Sequence, residues 1–252
     1  MFNLKYFILA LLFNTCLLAQ ELKIEYLAGT RQRDSFVKVK ENYQDDIKSQ
    51  MEAYNKKLFD DASKILPTVK FQVVAGDKAA VFFYEEPMTI DGMSSYSLDF
   101  ATSLAIDGEK IYNDLEKKKA YYIPKSTEII RLVSSDEVSW QVTDQKKTIL
   151  GMDCFKAIAT IENKDAEYAG RIPIECWFSP ELNFRAGPTP YINLPGAILE
   201  LTMPAITFKA VKVKSGNFKI PDFNEENLKI MSHNEYVAYF KKWAKKHIQG
   251  RN

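Results

Sequence analysis

Alternation of polar and apolar residues recurs along most of the chain and predicts a fold built mainly from β-strands. Residues 21–27, Glu-Leu-Lys-Ile-Glu-Tyr-Leu, alternate with the period of a half-buried strand. Similar segments follow at intervals of about 8–12 residues, a spacing that favours an antiparallel meander over βαβ units. The further predicted strands are 69–75, 79–84, 98–106, 110–115, 121–123, 128–133, 138–143, 147–150, 151–161, 172–178, 197–203 and 206–214.

Short turn sequences separate several of these strands. Gly76-Asp77-Lys78 indicates a hairpin, Asp107-Gly108 a tight turn and Asp144-Gln145-Lys146 another turn. Pro221 opens a linker at 221–227, after the last predicted strand. The short strands and frequent turns are typical of a sheet with one packed face and one face that is wet or concave.

A helical period replaces the alternation between about residues 37 and 66. Apolar residues recur there at steps of three and four, and Pro67 ends the predicted helix. We expect this stripe to pack on the sheet, with a partner-binding or membrane-binding face as the alternative. The stripe consists of Ile47, Met51, Tyr54, Leu58, Ala62 and Ile65.

A second amphipathic helix is predicted near the C-terminus. Ser232 or Asn234, followed by Glu235, is a helix-start signal, and residues 236–248 are basic with one apolar face. We expect that face to dock on the sheet, with a membrane surface as the alternative. The predicted fold class is therefore α+β and mainly antiparallel β: a curved sheet or open half-barrel with one N-terminal and one C-terminal amphipathic helix.

The first 19 residues have the form of a secretory signal peptide. Lys5 precedes an apolar run at 7–18, and Ala19-Gln20 is a plausible cleavage point. An uncleaved anchor helix and a lipoprotein acylated at Cys16 are the alternatives. We expect residues 20–252 to form a single β-rich domain that ends in the helix at about 232–248.

The charge balance of the mature chain excludes one class of partner. Residues 1–19 contain Lys5 and no acidic residue. Their removal lowers the number of Lys and Arg residues from 34 to 33, which equals the number of Asp and Glu residues, 33. A net charge near zero gives no electrostatic footprint for a nucleic acid. We therefore expect no nucleic-acid partner.

The sequence contains no recognisable catalytic constellation. The two histidines, His233 and His247, lie in the last 20 residues, where a zinc site or a Ser-His-Asp triad is hard to build. We expect no catalytic residue, no metal site and no cofactor. A carboxylate hydrolase is the remaining enzymatic alternative, because glycosidases need two suitably spaced acids. The acids considered for it are Glu175, Glu200, Asp99 and Asp153.

Two cysteines, Cys154 and Cys176, remain in the mature chain, and both lie on predicted strands. Because exported proteins meet an oxidising compartment, we expect a disulfide across neighbouring strands. Two buried free thiols are the alternative.

A proline-glycine loop at 187–196 leads directly into the apolar strand at 197–203. Pro195 fixes φ near −65° and Gly196 permits a positive φ, so Leu194-Pro195-Gly196 predicts a type II turn. Leu194 and Ile198 are expected to anchor the two sides of this turn in the core.

The same loop carries a resemblance to a known family. Asn193-Leu194-Pro195-Gly196-Ala197-Ile198 resembles the signature of the GLPGLI family, with Asn193 in place of the first Gly and Ala197 in place of the second Leu. Gly151-x-x-Cys154-x-Lys156-Ala157, Trp177-Phe178-Ser179-Pro180, Gly187-Pro188 and Tyr191 match its flanking segments in order and spacing.

The resemblance implies an exported Bacteroidota protein, located in the periplasm or cell envelope of a Gram-negative bacterium. The family has no established activity, and its members are often encoded near TonB-dependent outer-membrane receptors. The expected function is a non-enzymatic envelope module that binds a partner protein, with a periplasmic carrier of an apolar lipid or peptide as the alternative.

Overall fold

A single sheet of twelve strands organises this computed structural model, which describes residues 21–31, 44–85, 93–125, 128–163, 170–226 and 228–248. The strands are β1 (Glu21–Thr30), β2 (Phe71–Ala75), β3 (Ala79–Tyr84), β4 (Lys110–Asp114), β5 (Lys119–Ile123), β6 (Ile129–Ser134), β7 (Gln141–Ile149), β8 (Met152–Asn163), β9 (Gly170–Ser179), β10 (Ala197–Thr202), β11 (Ile206–Gly216) and β12 (Lys229–Ser232). The described helices are α1 (Asp45–Ile65), α2 (Ser95–Ala105) and α3 (His233–Ile248).

The strand order is β12-β6-β5-β4-β3-β2-β1-β11-β10-β9-β8-β7, and the pairing is antiparallel except between β12 and β6. The mainly antiparallel β prediction is confirmed. The predicted signal peptide at 1–19, with Cys16, lies outside the described residues. Among the described helices, none has the length and apolar character needed to cross a membrane.

Two local predictions are wrong, and one strand was missed. The segment predicted as a strand at 98–106 belongs to α2, which Ser94 caps by accepting a hydrogen bond from the Ser97 backbone N–H. The turn predicted at 144–146 is instead a register irregularity between Val142 and Lys146 inside the continuous strand β7. Strand β12 was not predicted, because four residues carry little periodic signal.

One face of the sheet, here called the core face, holds the main hydrophobic core. Leu22, Ile24, Tyr26 and Ala28 alternate along β1 and are all buried there. A group of aromatic rings fills the middle of this face, with centroid distances of 5.4 Å between Phe71 and Phe208 and 5.5 Å between Phe82 and Phe208. Edge-to-face packing of this kind suits the ring quadrupoles.

The predicted apolar stripe of α1 is buried over only part of its length. Leu58, Ala62 and Ile65 are buried, and the last two belong to the main core. Ile47, Met51 and Tyr54 are exposed, so the expectation that the whole stripe packs on the sheet is wrong for its first half.

The described part of the predicted linker, residues 221–226, lies over the opposite, outer face of the sheet. Phe223 packs on the rings of Tyr112 and Tyr121, at centroid distances of 5.3 and 4.7 Å. Glu225 accepts hydrogen bonds from the Tyr121 hydroxyl at 2.8 Å and from Lys117 Nζ at 3.0 Å. These contacts hold the segment between β11 and β12 against the outer face.

Candidate functional site

The proline-glycine motif forms a tighter turn than the predicted type II turn. The Gly196 N–H donates to the Leu194 carbonyl at 2.9 Å, an i to i+2 hydrogen bond that places Pro195 at the centre of a γ-turn. Gly196 has φ +148°, and a Cβ built there would lie 2.3 Å from the Ser179 carbonyl oxygen. The glycine is therefore needed for both its backbone conformation and the close approach to β9.

A bulge follows the motif in β10. Ile198 pairs with Phe178 and Glu200 with Trp177, so Leu199 is the extra residue. The Ile198 carbonyl accepts a hydrogen bond of 2.6 Å from the buried hydroxyl of Tyr26. Leu194 and Ile198 are 2% and 0% exposed, so both anchor residues lie in the core as predicted.

Two irregular segments are joined by reciprocal hydrogen bonds next to the motif. The Asn193 side-chain amide donates to the Val138 carbonyl at 3.1 Å. Trp140 Nε1 donates to the Tyr191 carbonyl at 3.0 Å. Asn193 thus ties the motif loop to the connector between β6 and β7. Ala197 is fully buried and forms an isolated β-bridge with Ala186.

The motif loop does not form an exposed patch. Residues 186–192 are all buried, and Asn193 and Pro195 are the exposed positions between 186 and 198. A cavity of about 320 Å³ lies beside the turn and is lined by Pro195, Gly196, Asp77 and Arg185, among others. The burial of the loop indicates that its role is to pack within the fold.

The disulfide predicted between Cys154 and Cys176 is not formed; both thiols are free and buried. The cysteines lie on neighbouring strands, as expected, but Cys176 pairs with Ala157, three residues from Cys154. Three strand residues span about 10 Å, and an odd separation points the side chains to opposite faces. Disulfide geometry needs Cα atoms within about 7 Å. Burial raises the pKa of both thiols.

The candidate acids are divided among separate environments. Glu175 pairs with Lys156 at 2.9 Å, and Glu200 pairs with Lys147, whose ammonium also lies 4.3 Å from the centre of the Trp177 ring. These residues share the outer face of β7 to β10.

The other two candidate acids do not join this group. Asp99 lies exposed on α2, and Asp153 lies exposed on β8. Glu175 and Glu200 are therefore each neutralised by a lysine. The structure does not bring the four acids to one cleft.

A larger groove lies where β8, β9 and β10 meet the connector that enters β7. Its volume is about 680 Å³, and it is open to solvent. Charged side chains come from four separated parts of the chain, and no spacing in the sequence signals their convergence. Glu175 was the one groove residue singled out from the sequence. The lining comprises Arg31, Glu137, Ser139, Gln141, Ile158, Ala159, Thr160, Glu162, Pro173, Ile174, Glu175, Thr202 and Pro204.

Across the described part of the chain, no group of three or more His, Cys, Asp and Glu residues is arranged to hold a metal ion. The groove offers carboxylates, one guanidinium and apolar surface, which suit noncovalent binding of a polar chain.

Comparison with known proteins identifies structural similarity alone. No family model matches the chain, and no curated protein matches it. A crystal structure of PNGF-II in space group P21 is similar at 15% identity and TM-score 0.49, over 89% of this chain and 34% of that chain. A second PNGF-II structure, in space group C2, gives 12% identity and TM-score 0.46 over 89% and 33%. The chain thus spans about a third of PNGF-II, and at these TM-scores the similarity carries no functional argument.

Proposed function

We propose that this protein is an exported, non-enzymatic binding module of the cell envelope whose open groove takes an extended segment of a partner protein. The observation that carries the proposal is the groove itself, with its volume of about 680 Å³ and its mixed charged and apolar lining. A groove of this size, open at its side, suits a peptide segment better than an enclosed small molecule.

The charges of the groove favour a basic segment. Glu137, Glu162 and Glu175 supply three carboxylates against the single guanidinium of Arg31. Lys156 pairs with Glu175 and offsets one of the three. The remaining carboxylates flank apolar surface, including Ile158, which is 38% exposed. Lysine or arginine side chains with apolar neighbours complement such a lining.

A curved sheet, or open half-barrel, with α1 and α3 packed against it, is the architecture we propose for this module. β6 and β7 are ten positions apart in the strand order, from position 2 to position 12. On a flat sheet that separation is about 48 Å at about 4.8 Å per strand. The connector at 135–140 spans at most about 25 Å. Only strong curvature lets so short a connector join the two strands.

The partner class comes from the family resemblance. A member of the GLPGLI family would act in the periplasm or envelope of a Gram-negative bacterium, beside a TonB-dependent outer-membrane receptor or a transport system. The buried motif supports a scaffold role for the signature residues, with the partner bound at the groove instead of at the loop.

The two other candidate functions receive less support. A carrier of an apolar ligand needs a hollow apolar face, whereas the core face between β1 and β11 is occupied by packed aromatic and aliphatic side chains. A hydrolase needs a general acid beside a second carboxylate. Glu175 and Glu200 are each paired with a lysine.

Site-specific photo-crosslinking in the native host tests the proposal. A benzophenone amino acid at Ser139, in the groove, is expected to crosslink one envelope protein, and the same probe at the exposed Ser103 of α2 is the matched control. The double change Glu137→Lys and Glu162→Lys should lower the Ser139 product at least about fivefold by removing charge complementarity. Equal crosslinking at both serines, or a product insensitive to the charge change, would reject the groove as the binding site.

A further inference from the structure

The first half of α1 presents an apolar stripe that the rest of the described protein leaves uncovered. Ile47, Met51 and Tyr54 are 43%, 37% and 51% exposed. Tyr96 at the start of α2 is 57% exposed, and its ring centroid lies 6.3 Å from that of Tyr54. Four large apolar side chains therefore form one continuous patch, here called the α1 patch.

The patch lies on the half of α1 that precedes its buried apolar residues. The buried residues of α1 begin at Leu58 and recur to the end of the helix at Ile65. The preceding residues, 45–57, have a length of about 20 Å at about 1.5 Å per residue. The same stripe that enters the core at Leu58 continues outward through Tyr54, Met51 and Ile47, so its exposed half has the pattern of a helix contact without a partner.

The two ends of this half carry charges of opposite sign. Asp45 and Asp46 lie in the first turn. Lys56 and Lys57 lie at the other end of the exposed stripe, and Lys57 is 66% exposed while pairing with Asp61 at 2.7 Å. A helix with an acidic start and a basic end beside one apolar stripe is complementary to itself in antiparallel orientation.

We infer that a second copy of this chain covers the α1 patch in an antiparallel, two-fold symmetric helix pair. An axis at the middle of the stripe, near residues 50 and 51, sets Ile47 of one copy level with Tyr54 of the other. Asp46 is then within about 3 Å, measured along the axis, of the level of the second copy's Lys57. Both lie on the same flank of the stripe, so each dimer gains two intermolecular ion pairs around its apolar centre.

The length of the exposed half fits the same geometry. The first buried residue, Leu58, lies about 11 Å from the axis, and the second copy's helix begins at its own Asp45, about 8 Å from the axis on that side. The exposed half of each described helix is thus long enough to cover the exposed half of the other. A membrane surface is a poorer occupant, because acidic residues share the flanks of the stripe with lysines.

Sedimentation velocity on residues 20–252 tests the dimer. The wild-type protein is expected to dimerise reversibly with rising concentration. Met51→Glu should raise the dissociation constant at least about tenfold, because it buries an unpaired carboxylate in the contact. Ser49→Glu adds the same charge at an exposed position of α1 on the side opposite the stripe and should leave the constant unchanged. Circular dichroism confirms that both variants fold.

A charge exchange tests the antiparallel register. One variant carries Lys56→Glu and Lys57→Glu, and the other carries Asp45→Lys and Asp46→Lys. In a dimer of either variant alone, like charges would face each other at both ends of the helix pair, so each variant should be monomeric. An equimolar mixture of the two variants should form heterodimers. A wild type that is monomeric at every concentration, a dimer insensitive to Met51→Glu, or a mixture that fails to associate would overturn the inference. Binding of a monomeric wild type to anionic vesicles, lost in Met51→Glu, would assign the patch to a membrane and also overturn it.

Discussion

The Tyr26 hydroxyl donates a hydrogen bond of 2.6 Å to the Ile198 carbonyl, across 172 residues of sequence. The bulge at Leu199 takes this region of β10 out of regular pairing, and Tyr26 on β1 supplies a donor inside the core. Burial raises the pKa of Tyr26 well above its ordinary value, so the hydroxyl stays protonated and able to donate.

Tyr26→Phe should lower the free energy of unfolding by about 1–2 kcal/mol, because it leaves the buried Ile198 carbonyl without this donor. Urea denaturation followed by tryptophan fluorescence measures the loss. Tyr239→Phe, on α3 and outside the main core, should change stability by less than about 0.5 kcal/mol. Equal losses of stability in the two variants would show that the Tyr26 hydrogen bond makes no specific contribution to the free energy of unfolding.

Gly196→Ala should destabilise the protein by about 2–4 kcal/mol, because its Cβ meets the backbone of β9 at a positive φ. Gly151 provides the control. It also has a positive φ, +82°, but a Cβ there has nothing within 4 Å. Gly151→Ala should therefore cost about 1 kcal/mol, the conformational strain alone. Denaturation midpoints that fall equally in both variants would contradict the close approach at Gly196.

Glu225 should stabilise the protein in a pH-dependent manner. Hydrogen bonds from Lys117 and the Tyr121 hydroxyl lower the pKa of its carboxyl from the ordinary value. The folded state thus favours the charged form, so the stabilisation is present above the ordinary carboxyl pKa of about 4.3 and is lost as pH falls through the lower, folded-state pKa.

Thermal melts of wild type and Glu225→Gln at several pH values measure this effect. The wild type should melt at the higher temperature at pH 7, and the difference should shrink as the pH falls below about 4. Glu226→Gln, at an exposed neighbouring position, should show little difference at any pH. A Glu225 effect that persists unchanged in acid would show that its charge plays no part.

The cysteines should behave as two protected thiols. Because both are buried and burial raises the pKa of each, neither thiolate is readily available in the folded protein. A protein comprising residues 20–252, which contains only these two cysteines, should react with a thiol reagent at two sites after denaturation without reductant, and much more slowly when folded. Absence of reaction after denaturation would demonstrate a disulfide and contradict the strand register.

Much of the strand content could be read from the sequence. Strands such as β1 and β11 bury one face, so side-chain alternation records them directly. The prediction failed at α2, whose residues 98–106 are short and apolar and carry no distinguishing period. It also failed at β7, where three polar residues resemble a turn but remain in a bulged strand.

The groove and the α1 patch could not be predicted in the same way. Arg31, Glu137 and Glu162 lie far apart in sequence and meet because the strand order places their segments together. The stripe of α1 has one continuous period, and nothing in it distinguishes the exposed Met51 from the buried Leu58. Burial depends on what lies opposite a residue, which is a property of the tertiary contacts.

The sequence by itself determined the local structure: the alternating strands, the amphipathic helices and a proline-glycine turn that requires a glycine at position 196. Only the tertiary structure decided that Cys154 and Cys176 stay apart, since a shift of three residues in register separates two cysteines on adjacent strands. It also decided that the motif is buried, because the carbonyl of Ser179 lies where a side chain on Gly196 would stand. Local periodicity fixes which residues can form a strand or helix, whereas register and strand order fix which of them meet.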